Sequence, residues 1–179
     1  KTFWDIGYQA GLRFEQSYYA GTITDKNQKF SYNYPSTGDD ILKSLFPGIY
    51  FSKKLKSSQE VQLNFSRKIN RTNFFQLMPF VMFADKQNYR IGNPQLKPKF
   101  QTLAKQTYHT LFSKGSYLAS GYFRYEEQPI TDVAYPSPDD PTVLVNTSIN
   151  GDKAVRYGLE NTFKRTFFKN LDWTVNANV

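Results

Sequence analysis

From Trp4 onward the even positions Trp4, Ile6, Tyr8, Ala10, Leu12 and Phe14 are apolar or aromatic, whereas the odd positions Asp5, Gly7, Gln9, Gly11, Arg13 and Glu15 are charged, polar or glycine. A period of two is that of a β-strand, whose successive side chains point to opposite faces. The alternation predicts one strand that continues through Tyr18 or Ala20. That is longer than the usual ~5 or 6 residues of a globular strand. A tilted membrane-spanning strand needs about 9 to 11.

The same period returns along the chain. Strands are predicted from about Phe46 to Leu55 and from Gln59, where Val61, Leu63 and Phe65 share a face opposite Gln62, Asn64 and Ser66. Another spans Phe100 to Phe112, with weaker alternation because Leu103 and Leu111 fall on the polar side and Gln106 on the apolar side. Tyr117, Ala119, Gly121, Phe123 and Tyr125 mark a return strand, Ala154 to Phe168 a further one, and Leu171 to Val179 alternates again. About seven strands result. Between them the connections run long, short, long, short, long, short. The long ones are Gly21 to about Lys43, Ser66 to Pro98, and Gln128 to about Lys153; the short ones are Lys56-Ser57-Ser58, Ser113 to Ser116, and Lys169-Asn170. In an antiparallel membrane barrel every second connection is a tight periplasmic turn and the others extend outward. A soluble Greek-key sandwich has no reason to segregate its loops in this way. The expected fold class is therefore all-β, an antiparallel transmembrane β-barrel segment with its long loops on the extracellular side. Thr142 to Val145 is expected to extend the strands above the membrane.

The Ser66 to Pro98 stretch reads as the loop around which the chain is organised. It opens on the basic run Arg67, Lys68, Asn70 and Arg71, passes through Phe74, Phe75, Pro79, Phe80 and Phe83, and closes on Gly92, Asn93, Pro94 and Pro98. Neither helical nor strand periodicity holds across it. Its density of Phe, Tyr, Leu and Met predicts that it packs on itself or onto something else.

Aromatics make up 17% of the residues, which favours β structure. A net charge of +8 would suggest nucleic acid or another acidic partner if it were clustered. Here Lys and Arg are scattered over strand faces and turns, so no nucleic-acid partner is expected. Without cysteine, a disulfide framework or Cys-based metal site is impossible. His109 stands alone and is read as a wall residue. Glu126 and Glu127 should point to opposite faces and so not act as a pair. Asp139-Asp140 lacks EF-hand spacing, and neither a nucleophile elbow nor a phosphate loop occurs. Neither catalytic residues nor a metal or other cofactor is expected, and the chain is not read as an enzyme. Arg67 shares the parity of Val61, Leu63 and Phe65, and should have left the hydrocarbon and be snorkelling or packed in the loop.

The words SRKINRTNFFQLMPF and YRIGNPQLKP resemble the signature of the outer-membrane β-barrel family of Bacteroidetes-type TonB-dependent receptors. Its motif positions fall on Arg67, Asn70, Arg71, Pro79, Gly92, Asn93, Pro94, Leu96 and Pro98. Thr72 stands where that family commonly has Pro, and Lys99 where it commonly has Glu. Gly11-Leu12-Arg13-Phe14-Glu15 and Tyr157-Gly158-Leu159-Glu160 are further matches. The resemblance implies an outer-membrane location, lipid around the barrel, a plug domain inside it and energy from TonB, with a surface lipoprotein as a possible further partner. Such barrels have roughly 22 strands, so residues 1–179 are expected to be an incomplete part of one barrel domain, with neither plug nor signal peptide. The function it implies is wall and extracellular loops of a receptor that imports a scarce glycan, siderophore or peptide. Arg71, Asn73, Tyr89, Arg90 and Asn93 are the candidate ligand-binding residues, because aromatic and polar groups side by side suit stacking on a ligand while hydrogen-bonding its edges. For Arg90 and Asn93 the loop's own packing is an equal reading, and for Phe74 and Phe75 it is the favoured one. Two alternatives stay open: a non-transporting structural barrel of an envelope assembly, and a soluble all-β binding module whose apolar faces meet in a closed core.

Overall fold

The computed structural model describes residues 2–3, 6–23, 28–35, 41–55, 58–83, 85, 87–168 and 171–179. Along the chain come β1 (Thr2–Phe3), β2 (Ile6–Phe14), β3 (Ser17–Ile23), β4 (Gln28–Tyr34), a 3-10 turn (Leu42–Ser44), β5 (Leu45–Lys54), β6 (Gln59–Asn70), α1 (Phe74–Leu77), β7 (Val81–Phe83), β8 (Asn88–Ile91), β9 (Lys99–Phe112), β10 (Gly115–Glu127), β11 (Ile130–Pro136), β12 (Leu144–Asn150), β13 (Lys153–Phe168) and β14 (Leu171–Asn178). The large sheet has the order β1-β2-β5-β6-β9-β10-β13-β14. Every neighbouring pair in it is antiparallel. Seven long strands, the number expected from periodicity, are preceded by the two-residue β1.

Registers show how period two becomes two faces. Ala10, Ile49, Phe65, Ala104, Phe123 and Tyr157 form one cross-strand row from β2 to β13. One residue along, Gln9, Tyr50, Asn64, Lys105, Tyr122 and Gly158 form the next row, on the opposite face. The usual relation of polarity to burial is inverted here. Leu12 is 67% and Tyr157 78% exposed, whereas Lys105, Tyr122 and Glu160 are half-buried and Ser120 and Glu126 are buried. No apolar layer packs against the exposed rows, so the closed core required of a soluble module is absent among the described residues. At the short-turn end, Phe112 and Phe163 stack with centroids 5.8 Å apart, and Trp173 meets both Phe163 and Phe167 at 6.2 Å. Arg165 lies 5.6 Å from the Phe167 centroid. This cluster is an aromatic girdle of the kind found where a barrel wall meets the membrane interface.

The long connections are more structured than expected. The first strand stops at Phe14, not Tyr18 or Ala20, because Glu15 turns the chain: its amide donates to the Ser44 carbonyl at 3.1 Å and its carboxylate holds Arg13 at 2.7 Å. The alternation beyond belongs to a separate hairpin, β3–β4, so the segment expected as a loop from Gly21 is partly strand. Asp25-Lys26-Asn27, Gly38 and Asp39-Asp40, like Trp4, Asp5 and the turn residues Lys56, Ser57, Lys169 and Asn170, lie outside the described residues. In Ser66 to Pro98, β6 carries the wall as far as Asn70, and α1 and the β7–β8 hairpin follow. Gln128 to Lys153 folds into the β11–β12 hairpin, which includes Leu144 and Val145 but not Thr142. Strand β12 then pairs in parallel with β8, giving a second sheet of order β11-β12-β8-β7. Two connections far apart in sequence thus form one cap over the long-loop end of the wall.

Candidate functional site

The cap joins the wall through charged residues. Glu15, at the end of β2, accepts from both Arg13 and Arg71, the latter just beyond β6. Arg71 is thereby tied to the first outer connection. Two residues on, Asn73 caps the single turn α1: its Oδ1 accepts the Gln76 amide at 2.8 Å, and the Gln76 side chain accepts the Asn73 amide at 3.0 Å. This reciprocal capping box satisfies donors that a four-residue helix would otherwise leave open.

Gly92 explains the tight closure of the second motif word. A Cβ there would lie 2.3 Å from the Met78 carbonyl oxygen and 2.8 Å from that of Phe75. The Gly92 amide donates to Met78 O at 2.9 Å, and Asn93 N to Gln76 O at 2.7 Å. Only glycine lets β8 come this close to the end of α1. Leu77, Met78, Leu96 and Val145 are buried around this junction.

Within the second sheet, Arg90 Nη2 donates to Asp132 Oδ1 at 2.7 Å and to Ser148 Oγ at 2.9 Å, and Ser148 Oγ donates to Asp132 Oδ1 at 2.5 Å. The Ser148 hydroxyl, with Arg90 after it, holds the Asp132 carboxyl below its ordinary range against the opposing effect of desolvation. Asn93 Nδ2 donates to the Ser148 carbonyl at 3.1 Å, and its Oδ1 accepts Gln95 N at 3.0 Å. The Tyr89 hydroxyl donates to Ser137 Oγ at 3.3 Å.

Asn150 of β12 ties the cap to the strand tops, and two further contacts brace the strand tops to one another. Asn150 accepts Lys97 N at 2.8 Å and donates back to Lys97 O at 2.9 Å and to Gln128 O at 3.2 Å. Glu126, only 2% exposed, sits between Arg156 at 2.9 Å and Lys99 at 3.4 Å; the unusual Lys99 has a carboxylate waiting for it. Arg67 lies over the rings of Phe46 and Phe100, 5.8 and 5.3 Å from their centroids, and 3.7 Å from Glu127. It lies within β6 and packs among aromatics of the wall strands at the rim, not in the loop as expected. Glu126 and Glu127 therefore serve different cations, as their alternation requires.

Of the candidate ligand residues, Arg71, Asn73, Arg90 and Asn93 each hold partners within the chain, and Tyr89 reaches Ser137. The network brings Arg90 and Asn93 together through Ser148, whereas Arg71 and Asn73 belong to the wall junction and the helical turn. Among the motif positions, Asn70 ends β6 opposite Lys99, Pro79 and Pro94 are half-buried, and Leu96 and Pro98 are buried. Phe74 and Phe75 depart from the reading favoured for them: they are 61% and 62% exposed and meet edge-to-face at 5.8 Å. The capped turn points them away from the buried cluster. Asp132, Ser148, Glu126 and Asn150 carry much of the network, and no local motif marks them, since their partners lie 16 to 58 residues away. Asp140 is held below its ordinary range by the Thr142 hydroxyl and amide. Among the described residues no three metal-binding side chains gather. Beneath the cap, the polar face of the wall carries charge pairs such as Lys105 with Glu160 at 2.9 Å. The arrangement offers recognition groups above a polar, partly charged surface.

Comparison with known proteins agrees with this architecture. The chain has the fold of the siderophore receptor PirA from Pseudomonas aeruginosa, at a TM-score of 0.64 and 16% identity over 75% of this chain and 27% of that one. A ferric enterobactin receptor (PfeA) mutant from the same organism, in complex with enterobactin, aligns at 0.63 and 14% identity, covering 98% and 24%. A double mutant of the Serratia marcescens hemophore receptor HasR, in complex with its hemophore HasA and heme, aligns at 0.62 and 12%, covering 97% and 31%. The chain thus spans between about a quarter and a third of these receptors' length. The model of the outer membrane protein beta-barrel family matches residues 1–179 in full. An exposed apolar face, a girdle of aromatics at its rim, alternating long and short connections and the family match agree: this chain belongs to the outer membrane protein beta-barrel family and forms barrel wall with an outer cap in the outer membrane.

Proposed function

We propose that this segment is wall and extracellular cap of a larger TonB-dependent receptor that captures a scarce glycan, siderophore or peptide and passes it inward. The observation that carries the reading is the cap itself: two distant connections are braced by the Arg90, Asp132 and Ser148 network directly over a polar wall face. A barrel serving only as scaffold has no need of so ordered an outer platform. Phe74 and Phe75 supply apolar faces for a ligand, and Tyr89, Arg90 and Asn93 supply polar groups from the hydrogen-bonded frame of the cap. Arg71 and Asn73 contribute by holding the helical turn that presents the two rings. The role is binding and passage, without catalysis. A plug domain within the closed barrel and TonB beneath it are the partners this mechanism requires; a surface lipoprotein could sit over the cap.

The test uses the full-length parent in its native envelope, with and without TonB, and measures uptake of labelled glycans, siderophores and peptides. Expected is TonB-dependent accumulation of one class, lost when Phe74 and Phe75 are both replaced by Ala while the band stays heat-modifiable on detergent gels. Failure to accumulate any class in either background would favour the non-transporting barrel.

A further inference from the structure

The apolar rows on the lipid-facing side are interrupted at mid-height. Gln106, in the middle of β9, stands between Leu63 and Gly121. Asn161, in the middle of β13, stands between Ala119 and Ala177. Tyr117 donates its hydroxyl proton to Asn161 Oδ1 at 2.7 Å, which satisfies that oxygen. The Asn161 amide nitrogen and both ends of the Gln106 amide have no partner among the described residues. In front of them lies a shallow depression of about 370 Å³ with Ala119 and Gly121 in its floor.

Hydrocarbon offers no hydrogen bond, so an amide directed into lipid at this depth keeps its desolvation cost. A protein surface carrying its own amide removes that cost. We propose that the depression is a lateral contact between two copies of the barrel, related by a two-fold axis along the membrane normal. Such an axis leaves every residue at the same depth in both copies and makes the contact self-complementary. An amide both donates and accepts, so Gln106 can pair with its own counterpart or with the Asn161 of the second copy. The small residues beneath let the two walls approach closely. A different protein would have to carry a matching amide at this depth, whereas a second copy carries it by symmetry.

The 179 residues contain no cysteine, so a thiol can be placed at will. In a cysteine-free full-length parent in native outer membranes, Leu159→Cys puts it beside the depression and Leu12→Cys puts it on the same lipid-facing side, on β2. A short bis-maleimide should shift the Leu159→Cys band to twice the parent mass and leave the Leu12→Cys band unshifted. Adding Gln106→Leu to Leu159→Cys should abolish the shift while the barrel stays heat-modifiable, since the change only makes the wall more apolar. Equal cross-linking at both positions, no product at Leu159→Cys, a product of another mass, or a shift undiminished by Gln106→Leu would each overturn the proposal.

Discussion

In the wall, the row from Ala10 through Phe65 to Tyr157 faces outward and the covered face is polar; in the cap, Leu77, Met78, Leu96 and Val145 are buried and polar groups surround them. One chain thus folds by two opposite solvent rules. The wall's apolar face gains nothing from water and needs lipid, and its backbone is satisfied by ladder bonds between strands. The cap is an ordinary water-solvated unit, too small to be stable on apolar burial alone. It is held by charge-assisted hydrogen bonds and by anchoring at Glu15 and Asn150. The two regions meet where the strands leave the hydrocarbon, and there the ion pairs are concentrated.

The largest break in this comparison is a charge placed on the lipid-facing side. Leu63→Arg, near the middle of β6, should destabilise the barrel by about 2 to 4 kcal/mol, whereas Gln62→Arg on the polar face should have little effect. Unfolding of the two variants in lipid bilayers measures the difference; equal losses would show that the sides are misassigned. A smaller effect is expected in the cap alone. Gly92→Ala drives a methyl group into the Met78 and Phe75 carbonyls and should cost about 1 to 3 kcal/mol, in line with other overpacked sites. Hydrogen exchange should rise in α1 and β8 while β9 and β10 keep their protection. The mildest lever is acid. Asp132 has its pKa lowered from 3.8 in the folded cap, so its contribution is fully present above that ordinary value and is lost as pH falls through it to the folded value. Asp132 is 61% exposed, so salt should weaken the effect. Cap exchange should accelerate below about pH 4 before the wall responds, and Asp132→Asn should remove the pH step.

Much of the wall was legible because period two is a local property: each strand declares its two faces through its own residues. The same locality misplaced the first strand's end. Tyr18 and Ala20 keep the alternation of Leu12 and Phe14, yet they belong to the β3–β4 hairpin, and periodicity cannot register a change of sheet. The cap was least legible. Its hairpins are short, and parallel pairing of β8 with β12 depends on residues more than fifty positions apart. Arg90 and Asn93 were identifiable as candidate ligand residues, but not their partners Asp132 and Ser148. Phe74 and Phe75 were expected inside because aromatics usually are; the capping box at Asn73 orients the turn so that they face outward.

By itself the sequence determined the strand count of the wall, its lipid and lumen faces, the alternation of short turns and long loops, and the motif positions, since all of these follow from spacing along the chain. Only the tertiary structure decided that two long connections share a second sheet, that Glu126 receives Lys99 and Arg156, that Gly92 must pass within touching distance of α1, and that Gln106 and Asn161 lie close together at mid-height. Those relations pair residues from different strands, and register is set by the whole ladder of hydrogen bonds.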